Sequence, residues 1–111
     1  MSKQYSALRE RMETRTLDNG LRICYLPKEG FSKTFAILAA NFGSVDASFT
    51  CEGRRYDTPA GVAHFLEHKM FDTPDGGNAL QTLSSTGASP NAFTSTAITG
   101  YHFECADQFW D

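Results

Sequence analysis

Positive charge is in short supply: 10 Lys and Arg stand against 13 Asp and Glu, a formal net charge of −3 over 111 residues. Phosphate backbones are held by clustered Lys and Arg, so a nucleic-acid module is excluded. Long apolar runs are missing as well. Stretches such as Phe35–Ala40 fall far short of the about 20 residues that span a bilayer, and no membrane contact is expected. Met1–Arg15 is polar and charged, without the apolar core of a secretory leader, which points to a soluble, cytoplasmic protein. Cysteine is scarce and odd in number, with Cys24, Cys51 and Cys105 far apart. That spacing supports neither a disulfide framework nor a CxxC metal clip, and suits small side chains in a reducing compartment. Hydrophobic residues at 41% and charged residues at 21% are ordinary globular usage, and 111 residues are long enough for one domain and too short for two.

No repeat, low-complexity tract or linker interrupts the chain, so residues 1–111 are expected to form one continuous unit. Gln4–Met12 reads as a short, mostly polar helix. Arg15–Leu17 and Leu21–Leu26 flank Asp18-Asn19-Gly20, the strongest short hairpin signal, and Pro27 ends the second strand. Thr34–Phe42 fits a central strand, and the polar, Gly-containing Asp46–Asp57 reads as a loop. Thr58 is the expected cap of a helix that starts at Pro59 and runs to about Phe71. A second helix follows, with Asn78 as cap and Gly87 just past its end. Ser89–Cys105, rich in Thr, Phe, Ile and Tyr, suggests one or two strands. Strands and helices mix without strict βαβ alternation. The predicted class is α+β, an antiparallel or mixed sheet with helices packed on one face.

The first helix carries His64-Phe65-Leu66-Glu67-His68. At about 100° per residue, His64, Glu67 and His68 share one strip about 100° wide, with Val62, Phe65, Leu66 and Met70 opposite. Two imidazoles one turn apart can ligate one zinc, and a neighbouring carboxylate can take a proton from water. The familiar HExxH order sets its carboxylate outside the second histidine, whereas HxxEH sets it outside the first. The two are near mirror images around the same histidine pair, so both allow the same chemistry. Spacing alone leaves a second reading open, in which the three polar groups simply face water.

The surrounding residues carry a resemblance. Leu17-Asp18-Asn19-Gly20-Leu21-Arg22, Gly43-Ser44, Gly61-Val62-Ala63-His64-Phe65-Leu66-Glu67-His68 and Asn91-Ala92-Phe93-Thr94-Ser95 resemble, in order and spacing, the N-terminal part of the insulinase/pitrilysin peptidases, the inverzincins. The match runs across about residues 13–105. Glu67-His68-Lys69-Met70-Phe71, followed by Gly87-Ala88-Ser89, is similar to the bacterial, paired-subunit side of that family. The resemblance implies a Zn2+ metalloendopeptidase, with His64 and His68 as metal ligands and Glu67 as general base. It implies a substrate-binding strand edge at Asn91, Ala92 and Phe93 that pairs with a peptide or small protein substrate.

The resemblance also implies a third zinc ligand, a glutamate on a later helix past Asp111, and a homologous second half or partner subunit. The aromatic ending Phe109-Trp110-Asp111 adds to the expectation that this is the N-terminal fragment of a larger metallopeptidase domain. Zinc is therefore expected to bind weakly to this chain alone. His102 and Glu104 share one side of an alternating strand, opposite Tyr101, Phe103 and Cys105, and are expected to point to solvent. The alternative function is a catalytically incomplete fragment, or a non-catalytic subunit that holds a peptide or partner with the same fold.

Overall fold

The computed structural model describes residues 1–106, which fall into two compact units divided between Phe31 and Ser32. The first unit is a three-stranded antiparallel sheet of β1 (Ser2–Tyr5), β2 (Glu10–Thr16) and β3 (Arg22–Tyr25), in the order β1-β2-β3. The β2–β3 hairpin turns where Asn-Gly predicts it. Asn19 Oδ1 accepts from the Leu21 amide at 3.0 Å, and the Gly20 amide donates to the Leu17 carbonyl at 2.9 Å.

The expected helix over Gln4–Met12 is not there. Ser2–Tyr5 pairs with Glu10–Glu13, and a single 3-10 turn at Ser6–Leu8 joins them through Arg9 at φ 53°. A helix that short is marginal in water unless it buries its apolar stripe, and here Tyr5 and Leu8 stay exposed. Pairing with β2, itself held by β3, satisfies the same backbone groups.

The second unit is built on β4 (Lys33–Ala40), β7 (Ser89–Thr94) and β8 (Thr99–Ala106), antiparallel in the order β4-β8-β7. All of β4 pairs with β8, from Lys33 opposite Ala106 to Ala40 opposite Thr99. The Ser44 and Val45 amides bond the carbonyls of Ser95 and Thr96 in the β7–β8 connection, at 3.0 and 3.1 Å, while Thr99 Oγ1 donates to the Phe42 carbonyl. The chain leaving β4 is thereby tied to the β7–β8 turn.

The segment expected as a loop, Asp46–Asp57, holds a hairpin of β5 (Ser48–Cys51) and β6 (Arg54–Asp57). Glu52 and Gly53, both with positive φ, turn its tip. Such a turn usually announces itself as Asn-Gly, and Glu at its first position hides it. Aromatic contact holds the hairpin instead. Phe49 stacks on Tyr56 at 5.5 Å and meets Phe42 edge-on at 5.5 Å, while the Arg54 guanidinium lies over Tyr56.

Two helices, α1 (Val62–Lys69) and α2 (Ala79–Ser85), pack against the sheet face that carries Tyr101, Phe103 and Cys105. A cavity of about 290 Å³ opens over that face, lined by Ala36, Leu38, Phe71, Leu83, Tyr101 and Phe103. Ala63, Ala88 and Cys105 are the buried apolar residues of this unit. The α+β class and the one-sided helices agree with the sequence reading. Among the described residues, no helix is long and apolar enough to cross a membrane.

Candidate active site

Helix α1 begins differently from its prediction. Thr58 does not cap it: its hydroxyl and its amide both bond the Ala47 carbonyl, at 3.0 and 2.7 Å, fastening the lead-in segment to the β5 end of the hairpin. The helix starts three residues beyond Pro59, after Gly61, whose φ of +91° is a left-handed turn that suits glycine. The first turn closes with the Phe65 amide on the Gly61 carbonyl at 2.9 Å.

The buried side of α1 is also not the apolar stripe. Phe65, Leu66 and Met70 are exposed, whereas Ala63 and Glu67 face inward. Around the helix these two lie next to each other, on the far side of the histidine pair from Phe65. The helix thus sits on the sheet through a methyl group and a carboxylate. Glu67 is only 7% exposed.

A carboxylate so placed needs a hydrogen-bond donor. Thr94 at the end of β7 supplies it, its hydroxyl donating to Glu67 Oε2 at 2.5 Å. The charge of Glu67 is felt further along the sheet. Burial, and secondarily that charge, push the Tyr101 hydroxyl above its usual 10.

His64 and His68 project beside Glu67 into an open cleft. Their Nε2 atoms are 3.1 Å apart, with ring centroids at 4.9 Å and planes tilted by 44°. The opposite wall is β7. Asn91, Ala92, Phe93 and Thr94 line the same cleft of about 540 Å³ as His64, Glu67 and His68, with Ser44 and Gly61 at its margin. All six residues singled out in the sequence border this cleft, Phe93 with its ring turned away from it. β7 is the outer strand of its sheet, and the Ala92 amide donates to Asn91 Oδ1 at 2.8 Å. Phe93 projects to the other face of the sheet, its ring over Gly100 and 6.3 Å from the His102 ring.

His102 and Glu104 stand away from this cleft on that other face. Glu104 is exposed and lies 3.7 Å from Lys33, as a solvent-facing residue would. His102 departs from its expectation: it is half-buried beside Phe35, and its Nδ1 is buried without a hydrogen-bond partner among the described residues. The strand alternation holds, but the face that His102 points to is lined with the rings of Phe35 and Phe93. Among the described residues, no group of three or more His, Cys, Asp and Glu side chains is placed to hold a metal. The segment Phe109-Trp110-Asp111 lies outside the described residues.

Thr94 and Ser44 are cleft residues to which the sequence assigned no role. Both sit in the blocks that carry the resemblance, but a contact across 27 residues leaves no periodic trace.

Comparison with known proteins places these features. The family model of insulinase, Peptidase family M16, matches residues 46–110. A Bacillus subtilis protein described as "Uncharacterized zinc protease YmfH" is 43% identical over 102 residues, covering 90% of this chain and 24% of its own length. Human insulin-degrading enzyme is 31% identical over 98 residues, or 83% of this chain and 9% of the enzyme. Among solved structures, an M16-like peptidase from Alicyclobacillus acidocaldarius superposes with a TM-score of 0.80 at 35% identity, covering 89% of this chain and 23% of that one. The chain thus spans about a quarter of the length of its bacterial relatives. With the family model covering more than half of the sequence and the same fold found in a solved relative, this chain belongs to the insulinase family of peptidases, M16.

Proposed function

We propose that this chain carries the histidine pair, the general base and the peptide-binding strand of a zinc-dependent metalloendopeptidase. The observation that carries the reading is the 3.1 Å separation of the His64 and His68 Nε2 atoms beside the buried Glu67. Two nitrogens bound to one tetrahedral zinc at about 2.05 Å lie about 3.3 Å apart, so the pair fits the metal with little adjustment. Zinc, when bound, would polarise the scissile carbonyl and acidify water.

The chain's own groups do the rest. His64 and His68 supply nitrogen ligands from the cleft side of α1. Glu67 accepts a proton from the attacking water through Oε1, the oxygen other than the one Thr94 holds, and returns it to the leaving amine. A peptide lies along the outer edge of β7, where the Ala92 amide exchanges Asn91 Oδ1 for a substrate carbonyl. The remaining zinc ligand, an acidic side chain, and the second half or partner subunit that closes the cleft come from outside residues 1–111. Its three unpaired cysteines suit a reducing setting such as the cytoplasm. The second reading, a fragment that holds peptide without cleaving it, is favoured for the isolated chain by the two-nitrogen ligand set.

Metal titration tests this directly. The chain is expected to bind zinc at one equivalent, weakly enough for a mild chelator to remove it, and to show no peptidase activity. His64→Ala or His68→Ala abolishes that binding, and Glu67→Gln preserves it. In a chain extended to supply the missing ligand, Glu67→Gln keeps zinc and loses peptide hydrolysis. Full turnover by that variant removes Glu67 from the mechanism.

A further inference from the structure

Resting on the reading of Glu67 as the base, we infer that Thr94 is its positioning residue: the Thr94 hydroxyl fixes the rotation of the Glu67 carboxylate and so aims Oε1 at the space beside the histidine pair. A glutamate carboxyl group turns about its last torsion in a broad, two-fold well, so helix α1 alone does not determine where its oxygens point. The 2.5 Å bond from Thr94 to Oε2 removes that freedom. The threonine hydroxyl is the donor of that bond and the carboxylate oxygen its acceptor.

The donor is itself held firmly. Threonine is β-branched and stiff at its first torsion. Thr94 lies in register opposite Thr99, whose hydroxyl is bonded to the Phe42 carbonyl at 2.8 Å. The neighbouring Ser95 amide and hydroxyl both bond the Ile98 carbonyl, which closes the β7–β8 turn. A rigid strand end therefore reaches across to a residue on a helix whose start has no side-chain cap. Ala92, on the proposed peptide-binding stretch, sits two residues before Thr94 on the same side of β7. The strand that receives the substrate backbone also sets the base, so one element registers both partners of the reaction. Displacement of a reacting group by about 1 Å can cost about 10²-fold in rate, which is the scale on which such a contact acts.

The decisive measurement is the Glu67 side-chain conformation in this chain, read by NMR on 13C-labelled glutamate without metal. Wild type and Thr94→Ser, which keeps the donor, are expected to show one conformer. Thr94→Val, which keeps the shape and loses the donor, is expected to average over several while the backbone spectrum stays native. If Thr94→Val does not fold, Thr94→Ala, which adds no volume, serves the same comparison. A single Glu67 conformer in a folded variant without the hydroxyl overturns the inference. Zinc titration of Thr94→Val separates this from the metal reading, because a positioning residue leaves zinc affinity within twofold of wild type. In an extended, active chain, Thr94→Val is expected to lower kcat about 10²-fold with KM unchanged, and Thr94→Ser to restore it. An unchanged kcat in Thr94→Val overturns the inference equally.

Discussion

The two helices of the second unit are close neighbours in sequence and opposites in construction. Helix α2 follows the ordinary rules: Asn78 Oδ1 accepts from the Leu80 and Gln81 amides, and Gly87, at φ +89°, follows its end. Helix α1 has no side-chain cap, starts on a left-handed glycine, buries a carboxylate and turns Phe65, Leu66 and Met70 outward. The departures from rule fall on the helix that carries the proposed site. Secondary structure that only fills space can be built from local signals. A helix that must present two imidazoles and a held carboxylate gives up its cap and its apolar footing to do so.

The contrast can be broken at either helix. The largest effect is expected at the start of α1, where nothing lies within 4 Å of an added Cβ and the obstacle is backbone conformation alone. Gly61→Ala should destabilise by about 1–2 kcal/mol, the cost of holding an L-residue in the left-handed region. Denaturant unfolding followed by the α1 amides measures it, and no loss would mean the helix restarts elsewhere.

A smaller effect is expected in α2. Removing the cap with Asn78→Ala should cost about 1 kcal/mol and leave zinc binding by the chain untouched. A change in metal affinity there would show that the helices are coupled more tightly than their separate construction implies. The smallest effect concerns the outward stripe. Met70 is 67% exposed, so Met70→Gln should alter the unfolding midpoint by no more than about 0.5 kcal/mol. A loss of several times that size would restore the stripe as a packing face.

The contrast also explains what could be read in advance. The Asn19-Gly20 hairpin, the Asn78 cap and the strands over 89–105 were legible because each rests on a local rule, a turn residue, a cap or β-branched composition. The HxxEH strip was legible because helical geometry alone brings His64, Glu67 and His68 together. Three features were not. The β5–β6 turn uses Glu52 where the rule expects Asn. Gln4–Met12 takes a strand–turn–strand course because β2 pairs onward with β3, whose residues lie outside that segment. Thr58 has the chemistry of a cap and spends its hydroxyl on Ala47 instead. The contact between Thr94 and Glu67 belongs to the same class, decided by how a strand end meets a helix.

On the side of the sheet away from the helices, Phe93 constrains how this sequence can drift. A Cβ built on Gly100 would come within 2.6 Å of two atoms of the Phe93 ring and 3.3 Å of Ile37 Cδ1. Positions 93 and 100 are therefore not independent letters. With the ring where it stands, a methyl group at 100 has no room, and it fits only if the exposed Phe93 ring turns aside or 93 has shrunk first. Substitution in the reverse order passes through an overpacked intermediate, about 1–3 kcal/mol less stable. The order of mutation, and not only its endpoint, is written into this face of the fold.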